Sequence, residues 1–234
     1  MKYSIHKREG MAMKNILKIM LMMITIFTIA GSAVYAAEIP VSDQDQLITS
    51  SDWTEISNLQ DEMKKEEPDA TIDYDKALKV YVDCNLIKLQ TADTKKLTSA
   101  LESANYVWVI PFKMEKTYGM FTVAKGLPLR EEAKSVLTKA EQEEVKNHAG
   151  KWMITETAEH TVEPYYDILL EKREALSDCT RVVLVGSQPG MRQPVALGMD
   201  DETARIWISL GYQYPVMKKI PETQNVESGV YSFD

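Results

Sequence analysis

Two cysteines, three histidines and ten glycines are all that a chain of 234 residues holds of these types. Cys84 and Cys179 stand far apart with no CxxC, which excludes a disulfide-dense scaffold, a zinc knuckle and a dithiol redox site. The glycines form neither GxGxxG nor GxxxxGK followed by Ser or Thr, so no phosphate-cradling loop is encoded. Bases are not clustered, and 27 of them face 35 acids, a formal net charge of −8. A nucleic-acid ligand needs a basic patch to displace counterions from phosphates, so that class is excluded too. Only one apolar run approaches membrane-spanning length, which excludes a polytopic membrane protein.

That run lies in the leader. Residues 1–36 carry five bases (Lys2, Lys7, Arg8, Lys14 and Lys18) and one acid, Glu9. Residues 19–30 (IMLMMITIFTIA) are uncharged, and a small-residue stretch leads to Ala36 and Ala37. Basic region, apolar core and small-residue site in this order predict a secretory signal peptide over 1–36, cleaved between Ala36 and Ala37. The alternative is an uncleaved anchor, since residues 19–37 are 19 uncharged residues, just long enough to cross a bilayer. Loss of the leader removes five bases and one acid, leaving 22 bases and 34 acids and a net charge of −12. Such a surface repels phosphate backbones and anionic lipid headgroups. The expected location is secreted or extracytoplasmic, with membrane contact only if the leader stays attached.

Periodicity divides the remainder. Residues 37–50 are polar and irregular and read as a linker. A helix is expected over 51–68, with Asp52 as N-cap, Glu55 three residues on, and Trp53, Ile56, Leu59 and Met63 near one face. Pro68 ends it. From Ile72 the period turns to 2, giving a strand with one buried face at 72, 74, 78, 80 and 82, interrupted near Lys76. Helical spacing returns over 92–104. Residues 105–112 (NYVWVIPF) read as a central strand covered on both faces, and 119–125 as its hairpin partner. Helical character over 129–149 is split by a capping box of Thr138 and Glu141 and closed by Gly150. A strand over 151–158, a helix over 162–176, a central strand over 181–186, a return over 191–198 and an alternating strand over 204–210 follow. Residues 212–234 read as an extended tail. The fold class is α+β: a mainly antiparallel sheet with packed helices over 71–211, with a weak strand–helix–strand–strand echo between 77–125 and 151–198.

Candidate chemistry is sparse. Past the leader only His148 and His160 remain. His160 lies in a loop-like stretch with Glu156, Glu159 and Glu163, and imidazole with carboxylates suits a divalent cation. The spacing matches no ligand pattern such as HExxH, however, and zinc usually takes more nitrogen or sulfur. Ser187 sits in GSQPG, where Pro189 and Gly190 favour a turn over a nucleophile elbow. Asp83 and Asp178 precede the two cysteines and would raise their thiol pKa values, so inert or bridged sulfur is expected rather than a nucleophile. A bridge would close a loop of about 95 residues, worth roughly 4–5 kcal/mol in chain entropy. The acidic runs at 73–75 and 200–202 lack the ligand spacing and glycine of a calcium loop. Trp207 faces away from Ile206 and Ile208 and is the candidate contact residue, unless a helix or the tail covers it. No catalytic residue, metal ligand or cofactor is assigned. The expected function is non-catalytic binding of a protein, peptide or polymer outside the cytoplasm. The alternatives are an extracellular hydrolase assembled near His160 or His148, and the outward-facing domain of an N-terminally anchored envelope protein.

Overall fold

The computed structural model describes residues 39–210, apart from Asn85 and residues 161–162 and 187–193, together with Val230–Ser232. Among the described residues nine strands share one sheet. β1 (Thr71–Ile72) and β2 (Leu78–Tyr81) both pair with β3 (Tyr106–Lys113), which makes a hairpin with β4 (Tyr118–Lys125). β5 (Trp152–His160) pairs on the far side of β4. β2 runs parallel to β6 (Arg181–Val185), and β7 (Val195–Met199), β8 (Ala204–Ser209) and β9 (Val230–Ser232) continue as a meander. The order β5-β4-β3-β2-β6-β7-β8-β9 is two antiparallel meanders joined along one parallel seam, an α+β fold. The strand–helix–strand–hairpin order recurs along the chain, but its pairing does not. β2 lies beside β3, whereas three strands separate β5 from β6.

The helices follow local signals. α1 (Trp53–Ile56), a 3-10 turn and α2 (Gln60–Glu66) succeed one another without a break. α3 (Leu86–Leu89) and α4 (Thr94–Glu102) lie between β2 and β3, α5 (Lys139–His148) between β4 and β5, and α6 (Tyr165–Glu171) between β5 and β6. Asp93 caps α4 by accepting the Lys96 N–H at 3.0 Å. Glu141 accepts the Thr138 N–H at 2.7 Å, completing the capping box expected there. Gly150 then turns the chain at φ +75°, a conformation that favours glycine.

Strand alternation sorts the core into two faces. Val182 and Leu184 of β6 join Leu78, Val80, Leu169 and Ile208, while Val183 and Val185 join Leu97, Leu101 and Leu197. In β3, Val109 belongs to the first face, and Trp108, Ile110 and Phe112 pack with Ile56 and Met63 on the second. Tyr106 touches both clusters of that second face.

Four expectations are corrected. Ile72 and Leu78 are six residues apart, but their partners Phe112 and Val109 are three apart. The surplus is taken up by a 3-10 turn (Tyr74–Lys76), and an odd surplus turns the strand over. Ile72 therefore packs on the second face and Leu78 and Val80 on the first, and every residue of β2 is buried. The supposed linker is core: Ile39, Val41, Asp45 and Leu47 are buried, and the Val182 N–H donates to the Pro40 carbonyl at 2.7 Å. Cys84 and Cys179 form no disulfide. Cys84 packs with Leu97 on the second face and Cys179 with Leu169 on the first, so the sheet stands between them. Finally, Val230–Ser232 of the tail are a sheet strand rather than a loose extension, while residues 211–229 lie outside the described residues.

Candidate functional site

Ionisable groups concentrate on the second face, under the strap formed by residues 45–52; the preceding Ile39 and Val41 pack on the first face. Lys79 stands between Leu78 and Val80 in β2, where alternation turns it inward. Its Nζ lies 4.5 Å from the ring centre of Tyr106, 5.2 Å from that of Trp108 and 5.8 Å from that of Tyr81. Asp45 Oδ1 is 4.0 Å away. The Asp45 carboxylate, 1% exposed as a residue, accepts from the hydroxyls of Ser42 at 2.6 Å and Tyr81 at 2.8 Å and from Arg181 Nη2 at 3.2 Å. Asp52 accepts from the Tyr106 hydroxyl at 2.8 Å and Trp108 Nε1 at 3.0 Å. Its carboxylate is thereby committed to β3 and does not cap α1, contrary to expectation.

The electrostatics follow from this packing. Burial lowers the Lys79 pKa, against the opposing pull of Asp45 and Asp52. Burial, followed by the adjoining carboxylate, raises the phenol pKa values of Tyr81 and Tyr106. Two carboxylates thus balance Lys79 and Arg181, and the tyrosines stay protonated as donors. Chemically this is an enclosed ammonium held by cation–π contacts, an arrangement that fixes the strap to the sheet. A cleft lined by Lys76, Leu78, Val109, Met120, Glu163 and Tyr165, among others, includes no member of this cluster. Its interior of about 10 Å³ holds about one water, far below a substrate cavity.

The residues singled out in the sequence are scattered. Ala36, Ala37 and Ser187 lie outside the described residues. Burial raises the thiol pKa of Cys84, and burial, Asp178 and Asp200 raise that of Cys179, so neither thiol is activated. His148 ends α5, and no hydrogen bond or ion pair joins its ring to another described residue. His160 ends β5 opposite Tyr118; the strand runs on through the stretch expected to be a loop. The His160 ring is outside the described residues. Among the described residues no group of three or more His, Cys, Asp or Glu could hold a metal. Asp200 accepts the N–H groups of Glu202 at 2.8 Å and Thr203 at 2.7 Å, which lowers its pKa and closes the β7–β8 turn. Trp207 is half-buried, with Leu197 of β7 on one side and Tyr231 of β9 on the other.

No known protein family, curated protein or solved structure matches the chain.

What remains open is one end of the sheet. β5 closes the strand order there, and among the described residues no strand pairs with its outer side. Thr155, Glu156, Thr157 and Glu159 are all exposed. Exposure of neighbouring residues, which point to alternate faces, means that both faces and the edge meet solvent here. Glu66 of α2 adds its carboxylate, accepting from the Thr157 hydroxyl. The excursion before β5, residues 127–149, contributes no buried residue, and Leu127 and Val136 are 48% and 79% exposed. The sequence singles out Glu156 and Glu159 only as neighbours of His160 in a cation site whose spacing fits no ligand pattern, and not as an edge. The available signal was the stretch TETAE, which has strand spacing but no apolar face after Ile154.

Proposed function

We propose that this protein is an exported interaction module that works by binding at the β4–β5 end of its sheet. The observation that carries this reading is the edge of β5, unpaired among the described residues, beside an excursion with no buried residue. A strand edge offers a row of main-chain donors and acceptors, and exposed apolar side chains such as Val136 are unexplained by the fold's own packing. The leader directs the chain out of the cytoplasm, and the acidic remainder keeps it away from anionic surfaces.

A photo-crosslinking side chain placed at Thr157 or Val136 in the producing cell tests this. A discrete crosslinked product from either position, absent when the same group replaces Asp75, is the expected result. Absence of product from both positions, or a hydrolytic turnover abolished by His148→Ala, overturns the reading. N-terminal sequencing of the exported protein separates secretion from anchoring: a chain that begins at Ala37 is expected, and a retained leader contradicts secretion.

A further inference from the structure

We infer that β5 accepts an extended, basic peptide segment as an additional strand, with the segment's Lys or Arg side chains lying against Glu156 and Glu159. This rests on the interaction-module reading and names the ligand of the same edge. Three observations fix the occupant. First, β5 is nine residues long, enough for a full partner strand, and pairs only with β4 among the described residues. Second, its charge is polarised. Lys151 precedes the strand, while Glu156, Glu159 and the nearby Glu66 place exposed carboxylates along the half after Ile154, with Glu163 beyond. On the β4 side, Glu156 lies opposite Thr122 and Glu159 opposite Gly119, so no cation of β4 stands across from either. A strand on the free side that carries cations opposite those positions completes both cross-strand pairs, each worth a few tenths to about 1 kcal/mol. Third, the same charges disfavour a second copy of this chain. A twofold antiparallel pairing centred on the strand would set Glu156 against Glu156 of the other copy, and like charges directly opposite are destabilising. The acidic net charge of the exported chain further favours a basic partner by long-range steering.

The register shift between Thr122 and Val123 bends β5 near Thr155. The acidic half of the edge therefore follows the bend, and a short segment reaches it without pairing along the whole strand.

Fluorescence anisotropy with labelled octapeptides tests the inference. A Lys/Val peptide whose Lys residues stand three apart, on opposite faces as Glu156 and Glu159 are, is the probe, with its Glu/Val counterpart and a Lys/Val peptide N-methylated at alternate residues as comparisons. The Lys/Val peptide should bind at least tenfold more tightly than either comparison. The double variant Glu156→Lys, Glu159→Lys, both on exposed positions, should weaken it at least tenfold while leaving the thermal midpoint within about 2 °C. Equal binding of the N-methylated peptide would show charge attraction without main-chain pairing and overturn the inference. So would an affinity that the double variant leaves unchanged, or no binding at all. If no peptide binds but the crosslink from Val136 persists, the edge proposal falls and the interaction-module reading stands. If both fail, both fall.

Discussion

Replacement of Asp45 by Asn should be far more damaging than replacement of Lys79 by Met, although the two groups form one ion pair. Asp45 is the hub. Its carboxylate receives Ser42, Tyr81 and Arg181 and lies 4.0 Å from Lys79 Nζ. At that distance unit charges attract by about 4 kcal/mol in an effective dielectric of about 20. Asp45→Asn leaves Lys79 and Arg181 facing one another without the acid between them, and removal of one partner from a buried pair costs about 3–5 kcal/mol. In Lys79→Met the carboxylate keeps its three hydrogen-bond donors, and the apolar chain stays among Tyr81, Tyr106 and Trp108. Burial already disfavours the ammonium, so the change should cost less than about 1 kcal/mol or be stabilising. Urea and thermal unfolding of the protein, followed by circular dichroism, read both. A midpoint scan should drop by roughly 6–20 °C for Asp45→Asn, at about 2–4 °C per kcal/mol for a domain of this size. A larger loss for Lys79→Met than for Asp45→Asn would refute the assignment of Asp45 as the hub.

Other consequences are directly measurable. Tyr81 and Tyr106 have raised pKa values, so the folded chain holds two protons that the unfolded chain releases near pH 10. Their contribution to stability is complete below pH 10 and is lost as pH rises above it; tyrosinate absorbance at 295 nm should show late-titrating phenols until the protein unfolds. Both thiols should be inert to a thiol reagent in the folded protein and both should react in urea, whereas a single mass loss of two hydrogens under mild oxidation would contradict their separation by the sheet. Gly119→Ala places a Cβ 2.1 Å from the Phe112 ring, so it should destabilise by about 1–3 kcal/mol, read by the same urea titration. Replacement of residues 129–147 by a short Gly/Ser linker should leave the thermal midpoint within about 3 °C, since no residue of that excursion is fully buried.

Much of the fold was legible because its strongest signals are local. The apolar runs at 105–112 and 181–186 announce the central strands, and Thr138 with Glu141 marks the start of α5 at Lys139. The misreadings share a physical origin, since each depends on which face a residue meets. Asp45 looks like solvent-exposed charge until β2 and β6 are adjacent and bring Tyr81 and Arg181 to it. Asp52 looks like a cap until β3 presents two donors to its carboxylate. The cysteines look like a pair because sequence spacing carries no record of the sheet between them. Lys79 did carry a signal, a cation that shares the face opposite Leu78 and Val80 with Tyr81 two residues on. The edge of β5 was harder to see, because its importance comes from what β5 lacks on its outer side.

Amide hydrogen exchange across β5, measured with and without the Lys/Val octapeptide, tests the central claim most directly. Slowed exchange confined to residues 152–160, with β9 at the opposite end of the sheet unchanged, is the expected result. Exchange in β5 that the bound peptide leaves unaltered would contradict the claim that this protein functions by capturing a strand at its open edge.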